Sequence, residues 1–104
     1  MRDEMLELTG HEIIDETGDK IGKVADVIYA TDTAEPAYVR VDFGMLKNHH
    51  VLVPLDDAYR SDGGELVVPF DKDTVKHAPK VPTPVALTKP LEEELSHYYA
   101  GTRG

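Results

Sequence analysis

Five histidines, His11, His49, His50, His77 and His97, are the side chains of this 104-residue chain best suited to move protons or hold a metal ion. A bound metal needs three or four ligands that converge on one point. His49 and His50 are neighbours, so on an extended strand they point to opposite faces. No H-x-H or H-x-x-x-H spacing occurs anywhere in the chain. A metal-binding sensor is therefore the weaker reading, and titrating untagged protein with zinc or nickel tests it. Carboxylates pair at Asp56-Asp57 and at Asp71/Asp73. Both pairs follow a proline that ends an apolar run, where an aspartate commonly accepts backbone N–H groups as a cap. Glycosidic chemistry needs two carboxyls about 5–10 Å apart across a cleft, and neighbours on a turn rarely converge that way. Ser61 and Ser96 lack the G-x-S-x-G elbow that exposes a nucleophile. Gly63-Gly64 leads into a strand pattern rather than a helix, unlike a phosphate-binding loop. With no cysteine there is no thiol nucleophile, thiolate metal site or disulfide. These residues predict no catalytic, cofactor-binding or metal site.

The charge balance narrows the partners. Twenty acidic side chains against eleven basic ones give a net charge of −9. Phosphate contacts need clustered Lys and Arg, so direct nucleic-acid binding or a dedicated anionic-membrane role is not expected. The acidity is front-loaded: Asp3, Glu4, Glu7, Glu12, Asp15 and Glu16 face only Arg2, and Glu92-Glu93-Glu94 forms a second cluster. Forty per cent apolar content suffices for a core, and the length suits one domain. The apolar runs are a few residues long, far short of the ~20 that span a bilayer. An acidic start without an apolar h-region predicts no signal peptide, hence a cytoplasmic protein.

Short strands separated by turns must position whatever the chain presents. His11–Asp15 reads as extended, and Glu16-Thr17-Gly18-Asp19 as a turn with glycine at positive φ. Lys20–Ala30 reads as one long bent strand, with Gly22 where it curves. Ala37–Phe43 alternates cleanly, placing Ala37, Val39, Val41 and Phe43 on one face and Tyr38, Arg40 and Asp42 on the other. Met45–Asn48 reads as a connection, followed by a strand over His50–Leu55. Val51-Leu52-Val53-Pro54-Leu55-Asp56 and Leu66-Val67-Val68-Pro69-Phe70-Asp71 share one pattern, apolar-apolar-Val-Pro-apolar-Asp. Proline has no N–H for a sheet ladder, so each run ends at its proline. The echo predicts neighbouring strands of one sheet. Asp71 is expected to cap a short helix over Lys72–Val75. Five or six such strands with almost no helix predict an all-β chain closed into a small barrel, which leaves no open edges.

Beyond Pro79 the composition changes. The Pro-rich stretch to Pro90 reads as stiff and extended. Leu91–Tyr99 reads as a short helix with glutamates in its first turn, where the helix dipole favours them. Leu91, Leu95, Tyr98 and Tyr99 form one apolar stripe at helical spacing. So short a helix is marginal alone, and the stripe docks either on its own barrel or on a partner. Tyr38 beside Arg40 is the composition enriched at protein contacts. Tyr38, Arg40, Leu91, Leu95, Tyr98 and Tyr99 are the candidate interface residues.

Several segments together resemble the PRC-barrel domain. They are Gly18-Asp19-Lys20-Ile21-Gly22-Lys23-Val24, Pro36-Ala37-Tyr38-Val39-Arg40-Val41, Val53-Pro54-Leu55, and Val67-Val68-Pro69-Phe70-Asp71-Lys72-Asp73 closing on Ala78-Pro79. The resemblance covers residues 8–79. The tail resembles the acidic helix following this domain in some bacterial members, although here Lys89 separates Thr88 from Pro90. The resemblance implies a six-stranded β-barrel over residues 1–80 with a short capping helix. Residues 81–104 then form a Pro-rich linker and C-terminal helical tail. It implies a non-catalytic adaptor, as in the reaction-centre H subunit and the C-terminal domain of a ribosome-maturation factor. The expected partner is a protein, with self-association as a homodimer through an exposed strand or the tail. Peripheral association with a membrane complex is compatible with this. The second reading is a ribosome-associated factor that binds a basic ribosomal protein, which an acidic surface permits.

Overall fold

The computed structural model describes residues 8–102. Asp3, Glu4 and Glu7 of the acidic N-terminal cluster lie outside them. Strands β1 (Glu12–Asp15) and β2 (Lys20–Lys23) form the first antiparallel hairpin. Its turn is organised by Asp15, whose Oδ1 accepts from the Thr17 N–H at 2.9 Å, the Thr17 hydroxyl at 2.6 Å and the Asp19 N–H at 3.0 Å. Gly18 takes φ +95°, a region L side chains avoid. The turn expected at residues 16–19 is therefore present.

Lys20–Ala30 is two strands, not the single bent one expected from its apolar residues. β2 ends at Lys23, and β3 (Asp26–Tyr29) belongs to a different sheet. Consecutive amides make the switch: the Val24 N–H donates to the His11 carbonyl at 2.9 Å, and the Ala25 N–H to the Arg40 carbonyl at 2.8 Å. Gly22 lies beside an irregularity as expected: it pairs with Ile13 while Ile14 pairs with Lys20, a register shift that passes over Ile21. A Cβ at this position would lie 2.9 Å from Val41 Cγ1, so glycine is what lets β2 press directly on β4 (Pro36–Phe43).

The remaining strands are β5 (His49–Pro54), β6 (Tyr59–Arg60) and β7 (Leu66–Val68). Among the described residues seven strands form two sheets, ordered β2-β1-β7-β6 and β3-β4-β5, in place of the expected six-stranded closed barrel. The two Val-Pro segments are not neighbours either. β7 runs parallel to β1, with Ile13 beside Leu66 and Ile14 beside Val67, whereas β5 pairs antiparallel with β4. The longer-range parallel pairing draws β7 away from β5 and into the sheet of the first hairpin.

Among the described residues two helices join the strands, and the fold is predominantly β rather than all-β. Helix α1 (Lys72–Lys76) is capped as expected, the Thr74 N–H donating to Asp71 Oδ1 at 2.8 Å. Asp56, in the matching position after β5, lies in a turn closed by the Ala58 N–H on the Leu55 carbonyl. Helix α2 (Lys89–Thr102) starts two residues before the expected helix and outlasts it. Thr88 caps it despite the intervening Lys89: its Oγ1 accepts from the Leu91 N–H at 3.3 Å.

One buried apolar cluster joins both sheets and both helices. Val81, Leu87, Leu95 and Tyr99, from the expected linker and tail, belong to it together with Ile13, Val41 and Val53. Val51, Leu52 and Val53 are all buried, so both faces of β5 are covered. Its outer edge is covered too. The Val81 N–H donates to the His50 carbonyl at 2.9 Å, and the Tyr99 hydroxyl to the Leu52 carbonyl at 2.7 Å. A strand edge with unpaired backbone groups invites pairing with other chains, and here the tail occupies it.

Candidate interaction surfaces

The outward face of β4 carries Tyr38, Arg40 and Asp42, as its alternation predicts, but each has a different role. Arg40 is engaged by Asp42 two residues on. Its Nε donates to Oδ1 at 3.0 Å and its Nη2 to Oδ2 at 3.2 Å. Across the strand pair His50 Nδ1 stands 2.7 Å from the same Oδ1, donating to it when protonated there. Burial by itself would raise the Asp42 carboxyl. The hydrogen bonds from His50 and Arg40, with the guanidinium charge, outweigh burial and hold it below the usual carboxylate range. The cluster locks β4 to β5, and Arg40 is held inside it.

Tyr38 sits at the other end of the strand, half-buried in a groove of about 370 Å³ between the β4–β5 pair and α2. Ala37 and Pro54 form apolar walls, Asp56, Glu92 and Glu93 bring carboxylates, and Lys89 and Ser96 complete the lining. Burial raises the Tyr38 phenol above its ordinary value, and the charges of Glu92 and Asp56 raise it further. The groove thus joins an aromatic ring and apolar walls to a negative rim, which suits a lysine or arginine side chain.

The tail stripe docks on its own chain. Leu95 and Tyr99 are buried, while Leu91 and Tyr98 are half-buried against the core. Tyr99 packs on Phe70 with ring centroids 4.6 Å apart, and Tyr98 meets Tyr99 edge-on at 5.1 Å. The Tyr98 hydroxyl donates to the Thr74 carbonyl at 2.6 Å, tying α2 to α1. Burial, with a smaller push from Tyr98, raises the Tyr99 phenol far above its ordinary value. Of the expected interface residues, Leu95 and Tyr99 have no surface to offer a partner in this arrangement.

The histidines engage separate partners, although His50 and His77 both lie within electrostatic reach of His49. His11 Nδ1 lies 3.1 Å from the Gly64 carbonyl and His77 Nδ1 2.8 Å from the Asp73 carbonyl, while His50 engages Asp42. Among the described residues no three His, Cys, Asp or Glu side chains gather to hold a metal ion. Ser61 and Glu65 close the Asp62-Gly63-Gly64 turn: the Ser61 hydroxyl donates to Glu65 Oε1 and accepts from the Glu65 N–H. No described helix is long and apolar enough to cross a membrane.

One surface feature escaped the sequence reading. In the β4–β5 connection Met45 is 98% exposed and Leu46 81%. A broader groove of about 580 Å³ runs beside the connection, with Lys20, Lys23, Lys47 and Lys72 in its lining. The sequence signal was an apolar pair at a turn, within thirteen residues, 43–55, that contain no Asp or Glu.

No curated protein matches the chain. The sequence pattern of the PRC-barrel domain matches residues 5–75. That span holds all seven strands and most of α1, including the Asp42 cluster and the β2–β4 contact at Gly22. With more than half its length matched in this way, the chain belongs to the PRC-barrel domain family.

Proposed function

We propose that this protein is a non-catalytic adaptor that binds a protein partner through the Tyr38 groove and associates with itself. The groove carries the reading. It places an aromatic ring, apolar walls and the carboxylates of Asp56, Glu92 and Glu93 where a basic segment of a partner can lie. PRC-barrel domains serve generally as interaction modules, and an acidic rim steers basic partners towards such a site. With the tail stripe buried, self-association falls to an exposed strand. β3 ends the three-stranded sheet and carries the exposed Tyr29, and β6 ends the other sheet and carries the exposed Tyr59.

Affinity capture with the intact chain and with an E92K/E93K variant tests the groove. The expected result is a basic partner, released by salt and absent from the variant. A partner retained equally by both proteins sinks the groove assignment. Light scattering at micromolar concentration tests self-association, and a strict monomer removes that part. The same carboxylates also support the second reading, a ribosome-associated factor, which gains if the captured partner is a basic ribosomal protein.

A further inference from the structure

We propose that the tip of the β4–β5 hairpin docks this protein on an anionic lipid surface, Met45 and Leu46 entering the interface while surrounding lysines contact the headgroups. The tip is a built turn. The Lys47 N–H donates to the Gly44 carbonyl at 3.1 Å, Gly44 takes φ +94° and Lys47 φ +55°. Met45 and Leu46 are therefore its two central residues, the positions a β-turn pushes furthest outward. Two adjacent apolar side chains almost wholly in water cost solvation that no packing within the chain offsets.

The charge around the tip is the reverse of the molecule as a whole. Six of the seven lysines lie beside the hairpin end or within electrostatic reach of its base: Lys20, Lys23, Lys47, Lys72, Lys76 and Lys80. The first four line the groove that also contains Phe43 and Gly44. The other two lie on the side of His49, which pairs with Phe43 at the hairpin base. The His49 imidazole is lowered from its ordinary value by loss of solvent first, then by the charges of Lys80 and Lys76. Opposing carboxylates are present but mostly engaged, with Asp15 close enough for its charge to act on Asp71 and Asp19 next to Lys20 in the chain. Glu12 pairs with Lys20 at 2.7 Å, Asp42 is balanced by Arg40 and His50, and Asp71 and Asp73 flank Lys72 in the chain.

The net charge of −9 does not forbid such docking. At physiological ionic strength, fields fade over about 8 Å, whereas the molecule measures 34 × 32 × 29 Å. A surface meeting the tip senses the lysines, with the acidic far side largely screened. A lipid interface fits the observations better than an acidic protein. The tip is a projecting turn whose central residues are apolar and exposed, and lysines line the groove beside it, a pairing that suits acyl chains beneath phosphates. A protein would need a preformed apolar hole with an acidic rim.

Sedimentation of the full chain with vesicles tests this, comparing phosphatidylcholine alone with equal parts phosphatidylcholine and phosphatidylglycerol. The chain should sediment with the anionic vesicles only, and less so as salt rises. An M45D/L46D variant should bind at least about tenfold more weakly, and each of K23E and K47E about fivefold more weakly. These side chains are exposed, so circular dichroism should show the fold retained. Because the chain has no tryptophan, L46W adds a clean reporter, whose emission should shift to the blue on anionic vesicles. Failure to sediment, binding indifferent to lipid charge, or an unshifted L46W emission overturns the proposal. So does a dimer that M45D/L46D converts to monomer, which would assign the tip to contact between copies, or an acidic protein that binds the tip while vesicles do not.

Discussion

The Tyr99 hydroxyl donates to the backbone carbonyl of Leu52 at 2.7 Å, joining the last helix to a strand 47 residues earlier. The ring lies on Phe70 and the oxygen reaches the outer edge of β5, so one side chain closes both a face and an edge. Tyr99→Phe keeps the ring and removes the bond, and should cost about 1–2 kcal/mol. Tyr99→Ala also opens a cavity and should cost about 3–5 kcal/mol. Urea unfolding distinguishes the two, and equal losses would mean that the hydroxyl contributes nothing.

Ending the chain at Pro79 removes the Val81 and Tyr99 donors together and bares the apolar surface beneath them. Such a fragment should be recovered as aggregate or unfolded chain. A soluble, cooperatively melting fragment, detected by calorimetry, would show that the β-domain stands without its tail.

Close approach makes Gly22 sensitive. Gly22→Ala places a methyl 2.9 Å from Val41 Cγ1, and should destabilise by about 1–3 kcal/mol through overpacking. Val41→Ala removes the clashing methyl at the cost of a cavity. The double variant should therefore lose less than the two single losses combined, a coupling read from a thermodynamic cycle.

Stability should fall at both ends of the pH scale. Asp42 is lowered in the fold, so its contribution is complete above the unfolded aspartate value near 3.9 and is lost as pH falls through the lowered folded value. Tyr99 is raised, so its contribution is complete below the unfolded tyrosine value near 10 and is lost as pH climbs towards the higher folded value. Asp42→Asn should flatten the acid limb and Tyr99→Phe the alkaline limb in pH-resolved thermal melts. A mutant whose limb keeps the wild-type slope would clear that residue of the effect.

Local patterns were readable wherever neighbouring residues decided the outcome. The alternation of Ala37–Phe43 fixed the inner and outer faces of β4, and Asp15 and Asp71 organise local turns and caps. What depends on distant partners was not readable. Val24 and Ala25 look like any apolar pair, yet their amides reach His11 in one sheet neighbourhood and Arg40 in the other. Gly22 carries no mark of the Val41 methyl opposite it. The stripe of Leu91, Leu95, Tyr98 and Tyr99 declared an apolar helix face but not its seat. The Tyr38 groove and the lysine-rich tip are likewise assembled from residues far apart in sequence, Tyr38 with Glu92 and Lys20 with Lys72.

The parallel pairing of β1 with β7 also bears on biosynthesis. Ile13 cannot meet Leu66 until the intervening residues have been made and have left the ribosome tunnel, and α2 must follow before the outer edge of β5 is covered. Because long-range pairings form slowly, the local hairpins β1–β2 and β3–β4–β5 can form first, and the β1–β7 pairing and the cover over β5 come after them. Until then the outer edge of β5 is a strand edge open to pairing with other chains.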